Sequence, residues 1–143
     1  MALQTVGGYV RDVRILLQDR IVPYRYSTKS IVRALNIILM EVRRLRPDLM
    51  APQYLDNVPD YDWDNDLNVE PGTDNDDDDN PVWSEWVPLE QQFRPAIVLG
   101  IAGYTMRRDQ EDIEDERATG HIQSFENMLT EAKSTKGKAP TKA

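Results

Sequence analysis

Asp74, Asp76, Asp78 and Glu85 stand at positions 1, 3, 5 and 12 of a calcium loop of the EF-hand kind, the one spacing in the chain suited to a hard cation. Two residues work against such a site. Asp79 occupies the place where the sharp turn wants glycine, and Pro81 falls where the backbone should run extended. The run is therefore expected to hold a cation adventitiously, with no dedicated metal and no cofactor. His121 is the single histidine, so neither a His-based triad nor a multi-His metal site can be assembled within one subunit, and it is expected to be a packed or interface residue. No GxSxG, Gly-Lys-Ser/Thr phosphate loop, GxGxxG or HExxH motif occurs. Carboxylates working as acid and base need contrasting, partly apolar surroundings, and a solvated Asp run offers uniform ones. Catalysis is not expected.

Recognition is better supplied than chemistry. Arg43, Arg44 and Arg46 cluster where a helix is expected to end, a place that favours cations through the helix dipole and solvation, with a partner-binding patch as the alternative reading. Trp83 and Trp86 are candidate interface anchors, because tryptophan is enriched at binding hot spots. Lys136, Lys138 and Lys142 make the tail from 133 to 143 basic, with almost nothing in it to bury.

The net charge of -8 conceals a partition. Residues 1–55 carry 9 basic and 4 acidic groups, residues 56–80 carry 11 acidic and no basic groups, and residues 81–143 carry 8 basic and 10 acidic ones. The acidity is thus a local device set into a mildly basic body. It argues against direct sequence-specific DNA binding, which wants a basic face. With no cysteine the chain has no disulfide or thiolate chemistry and suits a reducing compartment, the cytoplasm by default. Its first residues lack a basic stretch followed by an apolar one, and no apolar run approaches the ~18 residues of a membrane span.

The elements that must position these residues follow from periodicity. At 143 residues one domain with one modest core is expected. Thr5 is a plausible cap for a helix over 6–18, in which Val6, Tyr9, Val10, Val13, Leu16 and Leu17 recur at helical spacing while Asp12, Arg14 and Gln18 fall elsewhere on the wheel. Ser27 can cap a second helix over 28–46, striped by Ile31, Leu35, Ile38, Val42 and Leu45 and stopped before Pro47. Ile37 and Leu39 widen that stripe, so the second helix is expected to be central. Helical period vanishes from 51 to 88; within that acidic insertion, Val82 to Val87 could pair with Tyr54 to Val58 as a hairpin stem. Helices are expected again over 95–108 and 111–131. In the third, Ala96, Gly100 and Gly103 form a small-residue face that predicts close approach of another backbone, since Gly inside a helix costs about 1 kcal/mol relative to Ala. The core is expected to hold Val13, Leu16, Leu35, Ile38, Val42, Ile97, Ile101, Ile122 and Phe125. The expected architecture is all-α: a bundle of about four helices forming one domain over 1–132, with a long acidic loop or β-hairpin insertion between helices 2 and 3 and an extended basic tail.

Several short motifs in this order resemble a known family. A helix ending at Leu16-Leu17-Gln18-Asp19, then Pro23-Tyr24-Arg25-Tyr26-Ser27, a long apolar helix and Leu45-Arg46-Pro47-Asp48 are similar to the head-to-tail adaptor, or head completion, proteins of tailed bacteriophages. So are Pro88-Leu89, Phe93-Arg94-Pro95-Ala96, the helix through Tyr104 to Arg108-Asp109, and the final helix from Arg117-Ala118 to Phe125. The resemblance implies a virion structural protein at the neck, made in the host cytoplasm. It would be a homo-oligomeric, dodecameric ring beneath the portal protein that extends the DNA channel and offers a platform to the tail tube or nozzle protein. Genomic DNA would pass through without sequence-specific binding, and no membrane is involved. The basic tail is expected to dock on the portal or on a neighbouring subunit. The acidic insertion is longer and more charged than the family pattern, so its role is not implied by the resemblance. Two readings from other classes stand beside this one: a soluble acidic DNA mimic or inhibitor acting on a nucleic-acid-binding enzyme, and a calcium-stabilised binding module.

Overall fold

The computed structural model describes residues 3–18, 26–62, 81–107 and 112–131, with only the backbone described at 81 and 112–115. These residues form an all-α bundle with one two-stranded ribbon. In chain order they are β1 (Gln4–Thr5), α1 (Val6–Leu17), α2 (Thr28–Leu45), β2 (Trp86–Val87), α3 (Arg94–Arg107) and α4 (Asp112–Glu131).

Local chemistry sets the helix limits. The Thr5 hydroxyl accepts the Gly8 N–H at 3.1 Å, so one of the orphan donors of the first turn of α1 is satisfied. That helix stops where Gln18 turns into the left-handed region at φ 56° and donates its N–H back to the carbonyls of Arg14 and Ile15. Ser27 repeats the cap for α2, accepting from Ser30 N–H at 3.1 Å. At the far end, Arg46 is forced out of helical geometry, φ -145°, by the ring of Pro47. Pro95 lies in the first turn of α3, where its missing N–H would have had no partner.

The core runs between the four helices and takes Tyr9, Val10 and Val13 from α1, Ile31, Leu35, Ile38, Leu39 and Val42 from α2, Ile97 and Ile101 from α3, and Ala118, Ile122, Phe125 and Leu129 from α4. Of the expected core residues only Leu16 departs, half-buried against the cluster rather than within it. The small-residue face does what its composition predicts. A methyl group at Gly100 would stand 2.6 Å from Ile38 Cδ1 and 2.8 Å from the Phe125 ring. One at Gly103 would stand 2.6 Å from Ile122 Cγ1 and 3.0 Å from the Ala118 carbonyl oxygen. Only glycine lets α3 and α4 come this close.

The expected hairpin stem is not formed. Trp86 and Val87 pair instead with the N-terminal strand, antiparallel, with Gln4 opposite Val87 and Thr5 opposite Trp86. Residues Pro81–Ser84 and Pro52–Tyr54 are each a turn of 3₁₀ helix. The aromatic and β-branched composition marks residues that pack, and it does not choose their partner. The start of α1 takes the place of that partner: the Val6 N–H donates to the Glu85 carbonyl at 2.9 Å, which continues the ribbon into the helix. What the insertion's flanks do make is a neck, in which Met50 bridges Leu89 and Ala51 N–H donates to the Pro88 carbonyl at 2.9 Å.

The ribbon is bound to the bundle by side chains. Gln4 donates to Asp12 at 2.8 Å, while its amide oxygen accepts from Arg94 at 3.0 Å and Gln91 at 3.2 Å, which ties β1 to α1 and to the start of α3. Arg14, placed off the apolar stripe by the sequence pattern, is buried. Its guanidinium donates to the Tyr26 carbonyl at 3.0 Å and the Thr28 hydroxyl at 2.9 Å, clamping α1 to the start of α2. Among the described residues no helix is long and apolar enough to cross a membrane.

Candidate functional site

The residues singled out by sequence separate by location. Arg46 is a strut: its Nε and Nη2 grip both oxygens of Asp48 at 2.9 Å, and Nη1 donates to the Leu129 carbonyl at 2.6 Å, closing the end of α2 on α4. Arg44 pairs with Glu41 one turn back at 2.6 Å and stays in solvent with Arg43, so the basic cluster is two surface cations and one structural one.

The two tryptophans also diverge. Trp83 is half-buried, with its indole lying where any side chain at Gly7 would go and the Arg11 guanidinium 5.0 Å from its ring centroid. It anchors the turn at Pro81–Ser84 to α1. Trp86 is 62% exposed although its backbone is held on both sides. It pairs with Thr5 through the ribbon, and its carbonyl accepts the Tyr61 hydroxyl at 2.6 Å. Burial and the nearby Glu85 carboxylate hold the Tyr61 phenol un-ionised, its pKa raised well above the ordinary value.

Of the calcium-loop candidates, Glu85 is exposed, and Asp74, Asp76 and Asp78 lie outside the described residues. So do Lys136, Lys138 and Lys142. Among the described residues no group of three or more His, Asp or Glu side chains is arranged to hold a metal ion. His121, on α4, is half-buried, and desolvation with the neighbouring Arg117 lowers its pKa.

The surface that sequence reasoning missed lies on the outer side of α2. Leu39 is buried as expected, but Ile37 is 41% exposed, which corrects the reading that both residues widen a buried stripe. With Met40, 52% exposed, it stands in a row Arg33, Ile37, Met40, Arg44, spaced four, three and four residues apart along the solvent face. An open groove of about 470 Å³ runs beside this row, lined by Arg33, Asn36 and Ile37 from α2, Asp60 from the following segment, and Tyr104 and Arg107 from α3. The Arg107 guanidinium lies 5.7 Å from the Tyr104 ring centroid. Asn36 fixes one wall, donating to the Tyr61 carbonyl at 2.8 Å and accepting its N–H at 2.9 Å. The available signal was the pair Ile37 and Met40 opposite the Ile31–Leu35–Ile38–Val42 stripe, an apolar pair that a solvated helix face does not need.

The arrangement offers apolar surface, aromatic edges and guanidinium groups, which suit binding of an extended acidic chain. No family model, curated protein or solved structure matches the chain.

Proposed function

We propose that the chain is a structural subunit of the head-to-tail connector of a tailed bacteriophage, a member of a homo-oligomeric ring below the portal that lengthens the DNA channel and offers a platform to the tail. The observation that carries this reading is where the family-like motifs fall. Leu45-Arg46-Pro47-Asp48 forms the α2 terminus that Arg46 ties to α4, and Phe93-Arg94-Pro95-Ala96 opens α3 while Arg94 reaches back to Gln4. These two motifs fall where helices begin or end, positions whose residues set how helices meet, and that supports the reading. A role in assembly is also in keeping with large apolar side chains left in solvent, among them Ile15, Ile37, Met40, Trp86 and Met128.

In such a ring, mechanism is symmetry combined with charge. Each copy brings 11 carboxylates between residues 56 and 80, and repetition multiplies them into a strong local field. Facing the lumen, that field would repel the DNA backbone and keep genomic DNA from adhering.

The test is assembly with the cognate portal ring. Mixed with it and analysed by size-exclusion chromatography with light scattering, the chain is expected to co-elute as one large complex whose mass exceeds that of the portal by a whole ring. A portal that elutes unchanged beside free chain would overturn the proposal. A stable complex with a DNA-processing enzyme instead would establish the DNA-mimic reading.

A further inference from the structure

We infer that the groove between α2 and α3 is a docking site for the acidic segment of a second copy of this chain, with residues 63–70 as the occupant. The groove presents two kinds of surface. Ile37 and Tyr104 give it apolar and aromatic lining, Arg33 and Arg107 line it with cationic side chains, the Arg107 guanidinium 5.7 Å from the Tyr104 ring centroid, and Asp60 is the one carboxylate in the lining. Around the groove Lys29, Arg33, Arg43, Arg44 and Arg107 face the carboxylates of Glu41, which Arg44 pairs, and of Asp60 and Asp62, so five cations meet three anions and the local balance stays positive. A matching occupant must be extended, acidic and interrupted by apolar residues.

The chain contains one stretch of that composition. Residues 63–80 hold eight carboxylates and no basic group, and their first part, Trp63-Asp64-Asn65-Asp66-Leu67-Asn68-Val69-Glu70, interleaves three apolar side chains with three acidic ones. An arginine fork is suited to a carboxylate, and an aromatic or branched side chain set between two such pairs desolvates them. The charge partition of the sequence then has a use in self-association: the basic α2 face of one copy meets the acidic segment of the next. This gives a heterologous, head-to-tail contact, the kind that generates a ring when its rotation closes. The inference deepens the homo-oligomeric part of the proposed function but needs no portal.

Absence of cysteine makes the test direct. Two full-length variants, Met40→Cys beside the groove and Asn68→Cys within the segment, are mixed under mild oxidation, one of them bearing a size tag. A mixed disulfide dimer is expected to form well above the level given by Asn68→Cys with Ser124→Cys, an exposed α4 position outside the groove. The added pair Arg33→Glu and Arg107→Glu, both surface changes, is expected to reduce trapping roughly tenfold. High salt is expected to reduce it with no mutation at all. Trapping no better than the Ser124 control would overturn the inference. So would a Met40→Cys/Asn68→Cys double variant that closes only on itself as a monomer. A trapped dimer that fails to join the portal would reject the neck role alone, and portal assembly without trapping would reject this contact alone.

Discussion

Gly103 and Gly120 are both helical glycines, and they should respond in opposite directions to the same substitution. At Gly103 the added methyl meets backbone, the Ala118 carbonyl oxygen at 3.0 Å and the Ile122 nitrogen at 3.1 Å, so α4 must move away from α3. At Gly120 nothing lies within 4 Å. Replacing Gly103 by Ala is expected to lower stability by about 1–3 kcal/mol, since overpacking outweighs the gain in helix propensity. Gly120→Ala is expected to raise stability by up to about 1 kcal/mol for that same propensity. Urea unfolding of the two variants measures both, and a stabilised Gly103→Ala protein would mean that the two helices are not held at this spacing. The Gly100/Gly103 face was legible in the sequence because glycine inside a helix is unfavourable unless something requires it. Arg14 was not legible. A cation off the apolar stripe reads as solvated, and only the meeting of two helices supplies the Tyr26 carbonyl and Thr28 hydroxyl that make its burial favourable.

Between elements, the most informative junction is the one Arg46 makes. A residue that reads as the last cation of a helix spans to the Leu129 carbonyl in the last described turn of α4. Arg46→Met keeps much of the stem's packing and removes the charged donors. It is expected to cost about 1.5–3 kcal/mol, the range for hydrogen bonds made by charged groups. Amide exchange should rise selectively in the last turn of α4, whereas equal exchange along the whole helix would show that Arg46 supports the fold diffusely. Helix limits were readable to within about one residue because caps and prolines are local signals, as Thr5, Ser27, Pro47 and Pro95 illustrate. Strand partnership was not readable. Trp86–Val87 could pair with any extended neighbour of suitable face, and the choice of Gln4–Thr5 over 54–58 depends on where α1 lies, which composition does not encode.

At the scale of the whole molecule, acid should loosen the bundle through His121 before the carboxylates titrate. Its folded pKa is depressed by desolvation first and by Arg117 second, so the unfolded chain takes up a proton more readily than the folded one. Stability that is fully present above the unfolded value, about 6.5, is then lost as pH falls through the folded value. The midpoint of urea unfolding is expected to drop across that interval for the wild-type chain and to stay flatter for His121→Gln. A Gln variant with the same pH profile would place the dependence elsewhere. The all-α bundle was legible because four amphipathic or apolar segments leave few other ways to bury their faces. The groove was not, since it is built from α2, α3 and the segment around Asp60, far apart in sequence.

The bond from the Tyr61 hydroxyl to the Trp86 carbonyl, with the Met50–Leu89 bridge beneath it, fastens together the two places where the insertion leaves and rejoins the helices. The bundle is therefore indifferent to the length of what lies between, because ring-closure entropy rises only slowly with loop length. Residues 63–80 define a cassette: a short Gly-Ser linker, a peptide tag or an entire small domain can be exchanged into that position while the helical platform keeps its shape.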